Sequence, residues 1–102
     1  MTEKISEETL KLMHLIQEDS KTSQRELAIK SGLSLGKINY VLSSLVDIGY
    51  IKVKNFKNSD NKLNYKYILT PRGIKDKTKI TKNFITKKKE EFDILLSYLD
   101  ES

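Results

Sequence analysis

The chain has 102 residues, a net charge of +5, a single histidine and no cysteine. That length suits one domain with a modest core, and the missing thiols exclude disulfides, thiolate metal sites and cysteine nucleophiles. No apolar run is long enough to cross a bilayer, and the polar start, Met1 to Lys4, lacks a secretion pattern, so a soluble cytoplasmic protein is expected.

The first predicted element is a helix from Thr2 to about Glu18, with Ile5, Leu12, Leu15 and Ile16 on one stripe. His14 falls beside that stripe among polar neighbours. One histidine makes neither a metal site nor a catalytic triad, so it is assigned to a helix surface. Asp19-Ser20-Lys21-Thr22 forms the connection.

Ser23 opens a second helix. It stands three residues before Glu26, the spacing at which each side chain satisfies a free amide at a helix start. Leu27, Ala28 and Ile29 are expected to supply its apolar face, and Gly32 its left-handed end. So short a helix needs packing partners to persist. Ser34 then caps a third helix running to about Ile48. Ile38, Leu42 and Leu45 turn inward, with Leu35, Val41 and Ile48 flanking the same side, and Gly49 ends it.

"YIKVKNF" (Tyr50–Phe56) alternates Ile51, Val53 and Phe56 against Lys52 and Lys54, the pattern of a half-buried strand. Lys57–Asn64 is a polar turn segment, and Tyr65–Leu69 returns as the second strand of a hairpin. Thr70-Pro71 marks the next helix start, a capping hydroxyl followed by proline at the first helical position. Nothing interrupts that helix before the C-terminus. Ile74, Thr81, Ile85, Phe92, Leu95 and Leu99 follow three- and four-residue steps, the seam of a helix pair. The helix either docks on the first one or pairs with a second copy of itself.

Charge is unevenly spread along these elements. Residues 1–50 hold six Lys/Arg and seven Asp/Glu, residues 51–89 thirteen and two, and residues 90–102 none and five. A basic block of this kind suits a polyanionic partner, although a lysine-rich solvated surface has the same composition. Most lysines of the last helix are assigned to such a surface.

Three helices, a hairpin and a long helix make a mainly α fold with a small β-hairpin: a winged helix-turn-helix layout. Residues 1–70 form its head, and residues 71–102 a C-terminal helix of the same domain used for dimerisation. A tight glycine turn lets the third helix project, and a helix of about 10–12 Å diameter fits the major groove of B-DNA. Its face away from the core carries Gly36, Lys37, Asn39, Tyr40 and Ser43. Gly36 removes bulk where backbone must approach closely. Lys37 reaches phosphate or guanine, Asn39 matches adenine through its amide, and Tyr40 reaches phosphate or a thymine methyl. Helix-start amides bind anions, which recruits Ser34 and, on the second helix, Ser23, Gln24 and Arg25 to phosphates. Lys54, Lys57, Asn58, Asn61 and Lys62 are the candidates in the wing. Taken singly, each of these is equally a solvated polar position; as an uninterrupted face they are more specific.

The stretches "SQRELA" (Ser23–Ala28), "GLSLGKINY" (Gly32–Tyr40) and "KVKNFKNSDNKLNYKYILTPRGI" (Lys52–Ile74) resemble the MarR-like winged-helix regulators. More narrowly, they resemble a short group associated with bacterial exopolysaccharide gene clusters. The resemblance implies a dimeric, sequence-specific regulator on a pseudo-palindromic duplex operator, with no cofactor and no metal. Three departures stand out. The chain lacks much of the extra helical length with which larger members build a ligand cleft, which argues against a small-molecule effector. Ser43 stands where the short group often has lysine, and lysine and asparagine replace an arginine-rich wing. No enzyme is expected, for want of a phosphate loop, a nucleophile–base pair or two carboxylates in an apolar pocket. The rival function is a winged helix that binds protein rather than DNA. Ile85, Phe92, Leu95 and Leu99 are the expected dimer contacts.

Overall fold

A computed structural model describes residues 5–19, 22–57 and 63–99. The elements run α1 (Glu7–Glu18), α2 (Gln24–Ser31), α3 (Leu35–Ile48), β1 (Ile51–Lys57), β2 (Leu63–Leu69) and α4 (Pro71–Leu99).

Local chemistry sets most of these boundaries. Ser6, in extended conformation, accepts a hydrogen bond from the Thr9 amide at 3.1 Å and so starts α1 at Glu7 rather than at Thr2. Ser23 accepts from the Glu26 amide and Ser34 from the Lys37 amide, each at 3.1 Å. Gly32 and Gly49 close α2 and α3 at φ 77° and 89°, a conformation that costs a residue with a Cβ far more than it costs glycine.

Leu12, Met13 and Ile16 of α1 pack against Leu27 of α2 and against Ile38, Val41, Leu42 and Leu45 of α3. Three details of this core differ from the sequence pattern, the first because a helix turns about 100° per residue. Ile29 lies two residues past Leu27, so with Leu27 inward it points out and is 76% exposed. Leu35 shares the face of Ile38 and Leu42 but is the first residue of α3, at the end of the helix, and is exposed. Met13, beside Leu12, is fully buried although the apolar stripe omitted it, because the buried face of a packed helix is wider than one row.

The strands pair antiparallel, with Ile51 opposite Leu69, Val53 opposite Tyr67 and Lys57 opposite Leu63. The ladder therefore runs further than the sequence suggested, taking in Lys57, Leu63 and Asn64 that had been assigned to the turn. Ile51 and Leu69 are buried, and Tyr67 packs half-buried against the core while Val53 across from it is exposed, so β2 rather than β1 is the strand that faces the body.

The start of α4 is fastened to the end of α3. The Thr70 hydroxyl accepts from the Gly73 amide at 3.0 Å and donates to the Gly49 carbonyl at 2.6 Å. The Thr70 amide donates to the Tyr50 carbonyl at 2.9 Å. Arg72 donates to the Ile48 carbonyl at 3.0 Å and lies over the Tyr50 ring, whose hydroxyl donates to Asp76 at 2.9 Å. Gly73 is the close contact, since a Cβ there would stand 2.1 Å from the Tyr50 carbonyl oxygen.

From this joint α4 runs antiparallel to α1. Lys77 donates to Gln17 Oε1 at 2.6 Å and meets His14 Nδ1 at 3.0 Å. Lysine only donates, so Nδ1 accepts and the His14 Nε2 proton faces Glu18, 2.9 Å away. Further along, Lys88 meets Glu7 at 3.0 Å, and that carboxylate holds the lysine above its ordinary range, by hydrogen bond first and by charge second. Ile80 packs on the core, whereas every described side chain from Ile85 onward is exposed. α4 thus lies along α1 as far as the Lys88–Glu7 pair and leaves it beyond that point.

Gly73→Ala is expected to lower stability by about 1–3 kcal/mol, because the backbone carbonyl at this joint has no room to withdraw. A thermal melt checks it, with a drop of about 4–8 °C for each kcal/mol in a domain this size.

Candidate nucleic-acid interface

Burial of Ile38, Leu42 and Leu45 turns the other side of α3 to solvent. Gly36, Lys37, Asn39, Tyr40 and Ser43 are all exposed there, Tyr40 by 68%. The Lys37 ammonium stands 6.0 Å from the centre of the Tyr40 ring, the outer limit of a cation–π contact. Lysine and phenol therefore present one polar surface with an aromatic base.

Two contacts fix how this edge is presented. Ser34 holds the first turn through the Lys37 amide. Gln24, at the α2 start, reaches the Leu35 carbonyl with its amide nitrogen at 3.5 Å. Gln24, expected at a phosphate, thus lies at the α2 start with its amide nitrogen turned toward the first residue of α3. Ser23 is half-buried with its oxygen already accepting, while Arg25 is exposed.

Gly36 is informative by what surrounds it. A Cβ added there meets nothing within 4 Å, and its φ is not in the left-handed region. The fold does not require glycine at this position, in contrast to Gly73. Whatever benefits from the missing side chain lies outside the chain's own packing.

In the wing, Lys54 is exposed on β1 and sits across from Lys66 on β2. Lys52 shares its side of the strand by the two-residue repeat. Lys57 ends β1, its side chain outside the described residues along with Asn58, Asn61 and Lys62.

Sequence reasoning missed two concave features. A cavity of about 270 Å³ opens between α1 and α3, where Lys37 and Tyr40 meet Ser6, Thr9 and Ser44. A groove of about 650 Å³ lies between α1 and α4, lined by Glu7, Leu10, His14, Lys77 and Thr81. Both depend on how α1 crosses its neighbours, which no local pattern encodes. Among the described residues no His, Asp and Glu group could hold a metal ion, and no helix is long and apolar enough to cross a membrane.

The four residues expected at a dimer contact, Ile85, Phe92, Leu95 and Leu99, are 60–81% exposed. Ile94, Leu96 and Tyr98 are exposed beside them and were not singled out in the sequence.

Residues 7–52, just under half of the chain, match the family described as "Winged helix-turn-helix DNA-binding". The match runs from the start of α1 into β1 and includes the whole α2–turn–α3 unit. The fold is a winged helix-turn-helix. A PadR-like transcriptional regulator from Bacillus cereus superposes with a TM-score of 0.75 at 15% identity, covering 85% of this chain and 89% of that one. A MarR/EmrR family transcriptional regulator from Acinetobacter gives 0.63 at 20% identity, covering 93% and 73%. FabT of Streptococcus pneumoniae, solved in complex with DNA, gives 0.61 at 18% identity; the match covers 86% of this chain but only 59% of that one. The first two of these neighbours are regulators of transcription, not enzymes. No curated protein matches the chain in sequence.

Placed in the winged helix, α3 is the second helix of the helix-turn-helix and the β1–β2 hairpin is the wing. Gly36→Ala is expected to leave the melting temperature unchanged or raise it, by up to about 1 kcal/mol of helix propensity. A lower melting temperature would mean that the glycine serves the fold itself.

Proposed function

We propose that this chain is a sequence-specific, double-stranded-DNA-binding transcriptional regulator that acts as a homodimer. One observation carries the reading: the Lys37–Asn39–Tyr40 edge of α3 is bare, polar and set on a glycine turn, with its opposite edge buried. In a helix-turn-helix the second helix enters the major groove with its first residues toward base edges. Lys37, Asn39 and Tyr40 are in that position, and Gly36 lets the backbone come close.

The division of labour follows from the chemistry. Asn39 reads adenine through paired hydrogen bonds, while Lys37, Arg25 and Ser23 hold phosphates and fix the register. The wing lysines, Lys54 and Lys57 with Lys62, add sequence-independent attraction on the neighbouring backbone or groove, where Asn58 and Asn61 also reach. Gln24 joins Lys37, Arg25 and Ser23 from the α2 start, where free helix amides favour an anion. Two heads joined by α4 read two half-sites about one helical turn apart, or a multiple of it, on a pseudo-palindromic operator. The protein acts on the bacterial nucleoid in the cytoplasm, and the resemblance to the short exopolysaccharide-associated group makes polysaccharide biosynthesis genes the first targets to test. Support comes from the matched family description and from a neighbour of the same fold solved on DNA.

Selection from random duplex DNA tests the proposal, with a two-fold-symmetric motif expected; no enrichment would favour a protein-binding winged helix. On the selected site, Asn39→Ala is expected to cost about 1–3 kcal/mol and to relax preference at one base position in each half-site. Lys54→Ala should weaken every sequence alike and reduce the slope of log affinity against log salt by about one. If both variants act uniformly, α3 is not the reader.

A further inference from the structure

We propose that Asp47 is a selectivity residue of the bare α3 face: its carboxylate repels backbone phosphate and so weakens binding to duplex DNA of the wrong sequence. The inference rests on the DNA-binding reading above and adds to it a residue that works against affinity.

Placement comes first. Asp47 lies nine positions beyond Ile38, which puts it about 180° around the helix from that fully buried side chain. Gly36, Tyr40, Ser43 and Asp47 follow at steps of four, three and four, so the acid continues the midline of the exposed face. It is the only acidic residue of α3. It is exposed, and it forms no ion pair among the described residues.

The fold gives no reason for this charge. α3 ends at Ile48 with Gly49 as its cap, so Asp47 stands in the last turn. Free carbonyls gather partial negative charge there, and a carboxylate beside them is unfavourable. No basic residue in that turn offsets it. The Arg72 guanidinium at this end is turned to the Ile48 carbonyl and to Asp76. A neutral side chain of the same shape would serve α3 better. As at Gly36, the residue present answers to something outside the chain's own packing.

A duplex on the bare face supplies the reason. The 14 residues of α3 span about 21 Å, while the major groove is about 12 Å wide and 8.5 Å deep. With Lys37 to Tyr40 at base edges, the last turn stands at the groove rim beside the phosphates. Binding to arbitrary sequence is held by phosphate attraction alone. Without base contacts α3 is free to lie against the backbone, and Asp47 then meets like charge. On the operator, contacts made by the first turns fix the helix by its other end, and the acid costs less.

Asp47→Asn keeps the shape and removes the charge. It is expected to tighten binding to random-sequence duplex by about threefold, the effect of one unit charge about 6 Å from another in water. The slope of log affinity against log salt on that duplex should steepen by about one, while affinity for the selected site stays within about twofold. Asp47→Lys should carry both changes on random duplex further. Glu90→Gln removes an equal charge from an exposed position on α4 and should move neither, which separates a local effect from net charge. The melting temperature of Asp47→Asn should be unchanged or higher by up to about 5 °C. Weaker binding to the selected site, with relaxed preference at one base pair, would mean that Asp47 accepts from cytosine and overturns the proposal. Unchanged binding to random duplex overturns it as well. If the unmodified chain binds no duplex, random or selected, the DNA-binding reading itself falls.

Discussion

The architecture turns on the joint where the chain leaves α3, makes the hairpin and returns as α4. Gly49 ends α3 in a left-handed turn, and the next residue, Tyr50, places its carbonyl where both Thr70 and Gly73 must meet it. Thr70 then does two things with one hydroxyl: it caps α4 and holds the Gly49 carbonyl. The hairpin between these points can extend into solvent because its ends are pinned. A residue with a side chain at position 73 would push α4 away from Tyr50, and the angle between α3 and the long helix would go with it.

Against that joint, the contacts along α1 and α4 are weak individually. His14, Gln17, Lys77, Glu7 and Lys88 form exposed pairs, and exposed ion pairs contribute about 0–1 kcal/mol each. Their use is directional. They keep α4 lying along α1 as far as Lys88, about five turns, while Ile80, packed on the core, supplies adhesion. The helix α3 inherits its stability from the same core. Ile38, Val41, Leu42 and Leu45 anchor it, and so its opposite edge can remain polar and unpacked without cost to the fold.

Two glycines separate folding from function. Gly73 cannot carry a side chain because the protein's own backbone occupies the space. Gly36 can, as far as the fold is concerned, and it sits where the proposed DNA contact is closest. Both are helical glycines in a sequence motif, and only the surroundings tell them apart.

Local chemistry made the element boundaries legible in the sequence. Ser23, Gly32, Ser34, Gly49 and Thr70 act on amides and carbonyls within a few residues, so their roles survive without tertiary information. The exposed face of α3 was legible for a related reason: once Ile38, Leu42 and Leu45 are inward, helical geometry assigns Lys37, Asn39 and Tyr40 outward. Tertiary packing decided the rest. It chose Met13 over Ile29 for the core, and it laid Tyr67 of β2 against the body while Val53 of β1 faced solvent. It also divided one continuous seam on α4 into a part covered by α1 and a part left bare. An apolar repeat states that a face will be buried; which neighbour reaches it depends on where the other elements end.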